Sequence, residues 1–247
     1  MKRPQEMARS FGTPVYATLA TILGLCILVF LSTYSAPTVT RQQPGSTIIY
    51  DPTAPTFHLS SQALDSSKLP FANHSTLEPY QSYLQQTLDF THFQSLFDSV
   101  NNLSGGGILR TRGEAHITVI SPPEYDMVLK PAGLTIEEIE GIALRSKIQA
   151  ARIAPVCLGR FKGRLKEEEQ EGELLLFSLV VADVYGDLMA IRRDVFKLFR
   201  ERGGQGALFQ PEAFWPHVTI GYNQRDLFVQ DGIYKGSNYC YAPVRAV

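Results

Sequence analysis

A chain of 247 residues, 44% of them apolar, is long enough to bury a real core in one large domain or two small ones. Its formal net charge of −1 argues against a nucleic-acid binder held by bulk electrostatics, while leaving room for a local basic groove. Neither Cys-x-x-Cys nor His-x-x-x-His occurs, which sets a zinc site aside.

Lys2, Arg3 and Arg9 precede an uncharged apolar run, Val15–Leu31. The run lies near the lower limit for a membrane span and is long for the core of a signal peptide. It is apolar on all faces, which disfavours a buried globular helix. Two readings stay open. An uncleaved signal anchor would keep residues 1–14 as a short cytosolic tail, because the basic flank stays inside. A cleaved signal peptide would end at Thr33-Tyr34-Ser35, with Pro37 awkwardly near. Either sends the rest to the secretory-pathway lumen or outside, as a single-pass membrane protein or a secreted one. Asn73-His74-Ser75 and Asn102-Leu103-Ser104 are glycosylation acceptors by sequence, which fits that compartment. Cys26 lies in the apolar run; Cys157 and Cys240 either pair in an oxidising lumen or remain two buried thiols.

Residues 32–76 are rich in Pro, Ser, Thr and Gln and read as a stalk or linker, so the folded domain is expected over 77–247. Tyr80, Tyr83, Leu84, Leu88, Phe93, Leu96 and Phe97 make a broken apolar stripe, which predicts a helix over Leu77–Val100. The Ser104–Gly107 stretch ends it. A strand is expected over Ile108–Ser121, stopped by Pro122-Pro123. Thr135-Ile136-Glu137-Glu138 has capping-box spacing and opens a helix towards Ala151. Ile153–Phe161 and Leu174–Asp183 read as strands, with the charged Lys162–Glu173 stretch a solvated loop or hairpin tip. Asp187–Arg202 is an amphipathic helix presenting Leu188, Ile191, Val195, Phe196 and Phe199; Gly203-Gly204 stops it. His217–Tyr222 is a strand, and Tyr239–Val244 a closing one. The order implies α+β rather than a pure βαβ sheet.

Four of the five histidines fit His-x-Ser/Thr: His58, His74, His116 and His217. Context separates them. His58 and His74 lie in the Pro/Ser/Thr-rich stretch, whereas His116-Ile117-Thr118-Val119 and His217-Val218-Thr219-Ile220 sit in strand-like runs. Residues i and i+2 of a strand share a face. Each motif strand therefore sends an imidazole and a hydroxyl to one side, and aliphatic side chains to a core on the other. Two such strands facing one cleft supply two proton-transfer groups and two hydroxyl donors, a kit for cleaving a phosphate ester without metal.

With these motifs placed, the chain resembles the 2H phosphoesterase superfamily. Arg-Gly-Glu-Ala-His116-Ile-Thr-Val followed by Pro-Pro-Glu, and Phe-Trp-Pro-His217-Val-Thr-Ile-Gly, look most like its Swiss Army Knife (RNA repair-like) branch. The resemblance covers roughly 77–247 and implies a two-lobed α+β fold, with antiparallel sheets lining a central cleft and helices outside. It implies catalysis by His116, Thr118, His217 and Thr219 without metal or cofactor. One histidine takes a proton from the attacking water or ribose hydroxyl, and the other protonates the leaving oxygen. The implied substrates are 2′,3′-cyclic or related nucleotide and RNA-end phosphodiesters. Outside the resemblance, the apolar run would hold the protein, expected to be a monomer, to the membrane through its N-terminal helix unless it is cleaved. A luminal member departs from intracellular RNA processing, which bears on the substrate more than on the chemistry. The alternative is a catalytically inactive luminal binding module retaining the fold.

Three neighbours are candidate substrate-binding residues. Arg112, four residues before His116, would share the active face of a regular strand and reach phosphate. Trp215 would stack a base. Tyr222 lies at an odd offset from His217 and points away unless a bulge intervenes. Each has a plainer alternative as a solvated or core side chain. Arg145, Lys147 and Arg152 form either a basic face or a solvated helix surface. Glu124 has no role legible in the sequence.

Overall fold

The computed structural model describes residues 47–164 and 173–247. The apolar run Val15–Leu31 and most of the charged stretch before Leu174 lie outside them. Among the described residues, no helix is long and apolar enough to cross a membrane.

The structured chain starts earlier than residue 77. Strand β1 (Phe57–Leu59) pairs in parallel with β8 (Val244–Ala246), Phe57 opposite Val244. Phe57, Leu59 and Ala63 are buried in the main core, so the expected linker up to residue 76 is corrected. Composition misled because the apolar anchors are few and widely spaced among polar residues.

The helix expected over Leu77–Val100 is also corrected. Its first half is strand β2 (Leu84–Leu88), antiparallel to β3 (Ala115–Ile120), and only the second half is helix α1 (Gln94–Leu103). Asp89 divides them: its carboxylate accepts from the Thr91 N–H and caps a short 3-10 turn. The expected first motif strand is shorter than predicted at its N-terminal end, where Gly113 takes a left-handed conformation.

Ser121 caps the single turn α2 (Pro122–Glu124) in a capping box with Glu124. Thr135 and Glu138 do the same for α3 (Ile136–Arg145), where the sequence placed that box. Strands β4 (Ile153–Gly163) and β5 (Leu174–Asp183) pair antiparallel. With β6 (His217–Tyr222) and β7 (Cys240–Ala242) they form a sheet of order β6-β5-β4-β7. Helix α4 (Asp187–Glu201) buries Leu188, Ile191, Val195 and Phe199.

The architecture is thus α+β with antiparallel sheets, but the lobes share one core. Ile117 and Val119 of β3 lie in the same buried cluster as Val218 and Ile220 of β6. Between Arg110 and Tyr222, two backbone hydrogen bonds of 2.7 and 3.0 Å stitch the approach to β3 onto the end of β6.

Cys157 and Cys240 form a disulfide, Cα–Cα 5.6 Å, tying β4 to β7 across 83 residues of chain. Closing so long a loop restricts the unfolded ensemble. Cys157→Ser/Cys240→Ser is expected to lose about 2–4 kcal/mol, read as a lower urea midpoint, and the wild type should lose as much on reduction. An unchanged midpoint would show that the bridge adds no stability.

Candidate active site

Alternation in β3 buries Ala115, Ile117 and Val119 and leaves His116 and Thr118 half-buried on the opposite face. Alternation in β6 buries Val218 and Ile220 and leaves His217 and Thr219 likewise. Both rings lie within electrostatic reach of the Asp226 carboxylate, and a proton on His116 is felt at His217, so the two histidine faces turn to the same side.

His217 is held by its own approach segment. Its Nδ1–H donates to the Trp215 carbonyl at 2.7 Å, which leaves Nε2 with the ring's lone pair. Burial first, then the nearby Lys235 ammonium, push its pKa down to about 3. His116 has Nδ1 3.7 Å from the Glu114 carboxylate, beyond hydrogen-bond reach, and that buried nitrogen has no hydrogen-bond partner among the described residues. Burial, opposed by Glu114 and aided by Arg112 and His74, pushes its pKa down to about 4. Both rings are therefore neutral in the free protein at pH 7.

This has a consequence for stability. An unfolded imidazole binds its proton near pH 6.5, whereas these two resist it until about pH 4 or below. Their neutral burial favours the fold above pH 6.5, and that advantage is lost as pH falls from 6.5 towards 4. Tm is expected to drop across this window. In His217→Ala the drop should be shallower; an equal slope would show that His217 does not carry it.

Around β6 the structure gathers a charged cluster. Asp226 Oδ1 accepts from the Lys235 ammonium at 2.7 Å, and Oδ2 from Arg112 and from the Thr219 hydroxyl, each at 3.3 Å. Lys235 also donates to Thr219 Oγ1 at 3.1 Å. Arg112 thus reaches the site, through Asp226 and from a loop rather than a strand. Sequence reasoning missed Asp226 and Lys235. No spacing rule links either to a His-x-Thr motif; the chain after β6 brings them back across it.

Tyr222 lies on the His217 face after all. Thr219 is opposite Ser178 but Gly221 is opposite Phe177, an extra residue on β6 that restores Tyr222 to that side, opposite Leu176. There it packs against the apolar cluster of Leu174, Leu176, Leu227 and Ile233. Trp215 is half-buried, its ring centroid 4.5 Å from that of Tyr234. On the first-motif side, Tyr83 lies 6.0 Å from His116 and stacks on His74 at 4.2 Å, so the histidine set aside by context borders the site. Gln85, buried opposite Thr118, has an Oε1 with no hydrogen-bond partner among the described residues. Arg145, Lys147 and Arg152 are exposed, with Arg152 resting on the Tyr185 ring.

Glu124 acquires a role. It pairs at 2.8 Å with Arg192 of α4, whose guanidinium also donates to the carbonyls of Val119, Pro211, Gln210 and Ala213. Arg192 is 1% exposed. This knot joins the end of the His116 strand to the loop that delivers His217.

Among the described residues no group of three or more His, Cys, Asp or Glu is gathered to hold a metal ion. The arrangement offers two neutral imidazoles, a hydroxyl at Thr118, a second hydroxyl at Thr219 wired to a lysine, and cationic side chains on one face. No curated protein and no solved structure matches the chain. A family model for the Swiss Army Knife 2H phosphoesterase domain matches residues 82–228, a segment that contains both motif strands, Asp226 and the Glu124–Arg192 knot. The chain belongs to the Swiss Army Knife family of 2H phosphoesterases.

Proposed function

We propose that this protein is a metal-independent phosphodiesterase acting on 2′,3′-cyclic or related nucleotide and RNA-end phosphodiesters. The observation that carries the reading is that His116 and His217, each beside the threonine two residues on, lie within electrostatic reach of one another and of Asp226. One imidazole accepts the proton of the attacking water or ribose hydroxyl, and the other, as imidazolium, donates to the leaving oxygen. Thr118 donates to a non-bridging oxygen, and the Thr219–Lys235 pair faces the charge that grows in the transition state.

Both rings resist protonation in the free protein, so the required mixed state, one neutral and one charged, is scarce at neutral pH. An arriving phosphate anion stabilises the imidazolium and offsets the burial. The pH dependence of kcat/KM, which reports the free enzyme, therefore has its optimum on the acid side of an ordinary imidazole pair.

The Cys157–Cys240 bridge and the exposed Asn73 and Asn102 support an oxidising, secretory compartment. The uncharged run Val15–Leu31 would hold the enzyme to the membrane as a single-pass anchor, or release it if cleaved. A monomer suffices, since both motifs come from one chain.

The test is an assay of the purified full-length protein on cyclic and linear phosphodiesters with a chelator present. Turnover of a 2′,3′-cyclic nucleotide that persists with chelator supports the reading. Turnover that chelation abolishes, or binding with no turnover of any diester, refutes it.

A further inference from the structure

The cluster behind Thr219 has a charge imbalance that a structural ion pair does not need. Asp226 is one carboxylate facing two cations, Arg112 at 3.3 Å and Lys235 at 2.7 Å. It is otherwise satisfied by the Leu227 N–H at 2.8 Å and by Thr219. Lys235 is 3% exposed and pairs with the likewise buried Asp226, while the second cation, Arg112, has a side chain 39% exposed at the rim of the second motif. Two cations around one carboxylate leave the cluster net positive, which suits it to an anion that arrives later. An ammonium has three N–H donors. Two go to Asp226 and Thr219, and the third has no acceptor among the described residues.

The backbone is held in an uncommon state to achieve this. Lys235 has φ 49°, a left-handed conformation that ordinary side chains disfavour. The next residue, Gly236, is so close to Trp215 that a Cβ would come within 2.6 Å of Cδ1. Trp215 in turn presents the carbonyl that orients His217. The Phe228 ring lies 5.4 Å from the Lys235 ammonium and 5.9 Å from the Arg112 guanidinium.

We propose that Lys235, which lies beyond the matched residues 82–228, is a catalytic residue whose ammonium binds the non-bridging phosphate oxygen presented beside Thr219. The inference rests on the phosphodiesterase reading above and names a residue outside the two motifs. Asp226 and Thr219 Oγ1, both accepting from Lys235, aim the ammonium. The titratable groups facing His217 are Lys235, Asp226 and His116, and those acting on His116 are Glu114, Arg112, His74 and Asp226. Lys235 holds the His217 pKa down. Its removal therefore raises that pKa, and the limb of kcat/KM that reports His217 shifts towards neutral pH.

The experiment uses the full-length protein with a 2′,3′-cyclic nucleotide as substrate and inorganic phosphate as ligand. Lys235→Met is expected to lower kcat/KM by about 10²–10³-fold, the usual cost of one donor to a developing oxyanion, and to weaken inhibition by phosphate. Lys235→Met/Asp226→Asn removes both charges. If the lysine only neutralises Asp226, the double variant recovers; if it binds phosphate, the double variant stays impaired. Activity of either variant within threefold of wild type, or an unmoved pH limb, overturns the proposal. Should neither variant fold, ¹⁵N-lysine NMR of the wild type decides: phosphate should shift the protected Nζ resonance of Lys235, and no shift at saturation overturns the assignment. If the wild type cleaves no diester, the phosphodiesterase reading fails on its own, and the phosphate titration still judges the lysine.

Discussion

His116→Ala and His217→Ala are each expected to lower kcat/KM by about 10²–10⁴-fold, the contribution of one positioned acid or base, with the fold retained. Neither ring belongs to the shared hydrophobic core, so truncation leaves the packing of Ile117, Val119, Val218 and Ile220 in place. Far-UV circular dichroism and a cooperative melt check the fold, and steady-state assays between pH 5 and 8 check the activity. The two rings act on one reaction as a unit, so the double variant should be close to the slower single variant rather than multiplicatively worse. Thr118→Val should cost less than either, since a donor is lost but no proton carrier. Wild-type turnover by either alanine variant would end the two-histidine scheme.

The largest effect on stability is expected from Arg192→Met. The substitution keeps the length of the aliphatic stem but removes the guanidinium that serves the carbonyls of Val119, Pro211, Gln210 and Ala213 and the Glu124 carboxylate. Breaking a buried, hydrogen-bonded charge from one side typically costs about 3–5 kcal/mol, because the partners stay behind without donors. In a domain of this size that is about 10 °C in Tm. The guanidinium also lies 5.0 and 5.1 Å from the Phe209 and Phe214 rings, contacts that methionine keeps only in part. Arg192 ties the end of the His116 strand to the loop before His217, so activity should fall together with stability. Thermal and urea melts give the number; a loss under about 1 kcal/mol would show that water replaces the guanidinium at those carbonyls.

Part of this site was legible without coordinates. Period-two alternation assigns His116 with Thr118, and His217 with Thr219, to faces opposite the core, because neighbouring β-branched residues have to be buried. The helix Asp187–Glu201 follows equally from local periodicity, and α3 from the Thr135 capping box. Where local rules compete, the sequence misled. Tyr83, Leu84 and Leu88 fit a helical stripe, yet Leu84–Leu88 is a strand, because pairing with β3 buries Gln85 and Gln86 as well. The composition of residues 32–76 suggested a linker, yet β1 is held by the last strand of the chain, a partner nearly two hundred residues away that no local window contains.

The sequence by itself determined the family, the two histidine–threonine pairs and the side of each strand they occupy, because all three depend on residues within a few positions of one another. Tertiary structure alone decided that both faces meet over a common core and that the imidazoles are neutral. It also decided that a bulge returns Tyr222 to the active side, and that Asp226, Lys235 and the Glu124–Arg192 pair serve the two motifs. Those outcomes depend on burial and on charges brought together from distant segments, and the energy of a charge is set by what surrounds it in space, which the order of residues along the chain does not state.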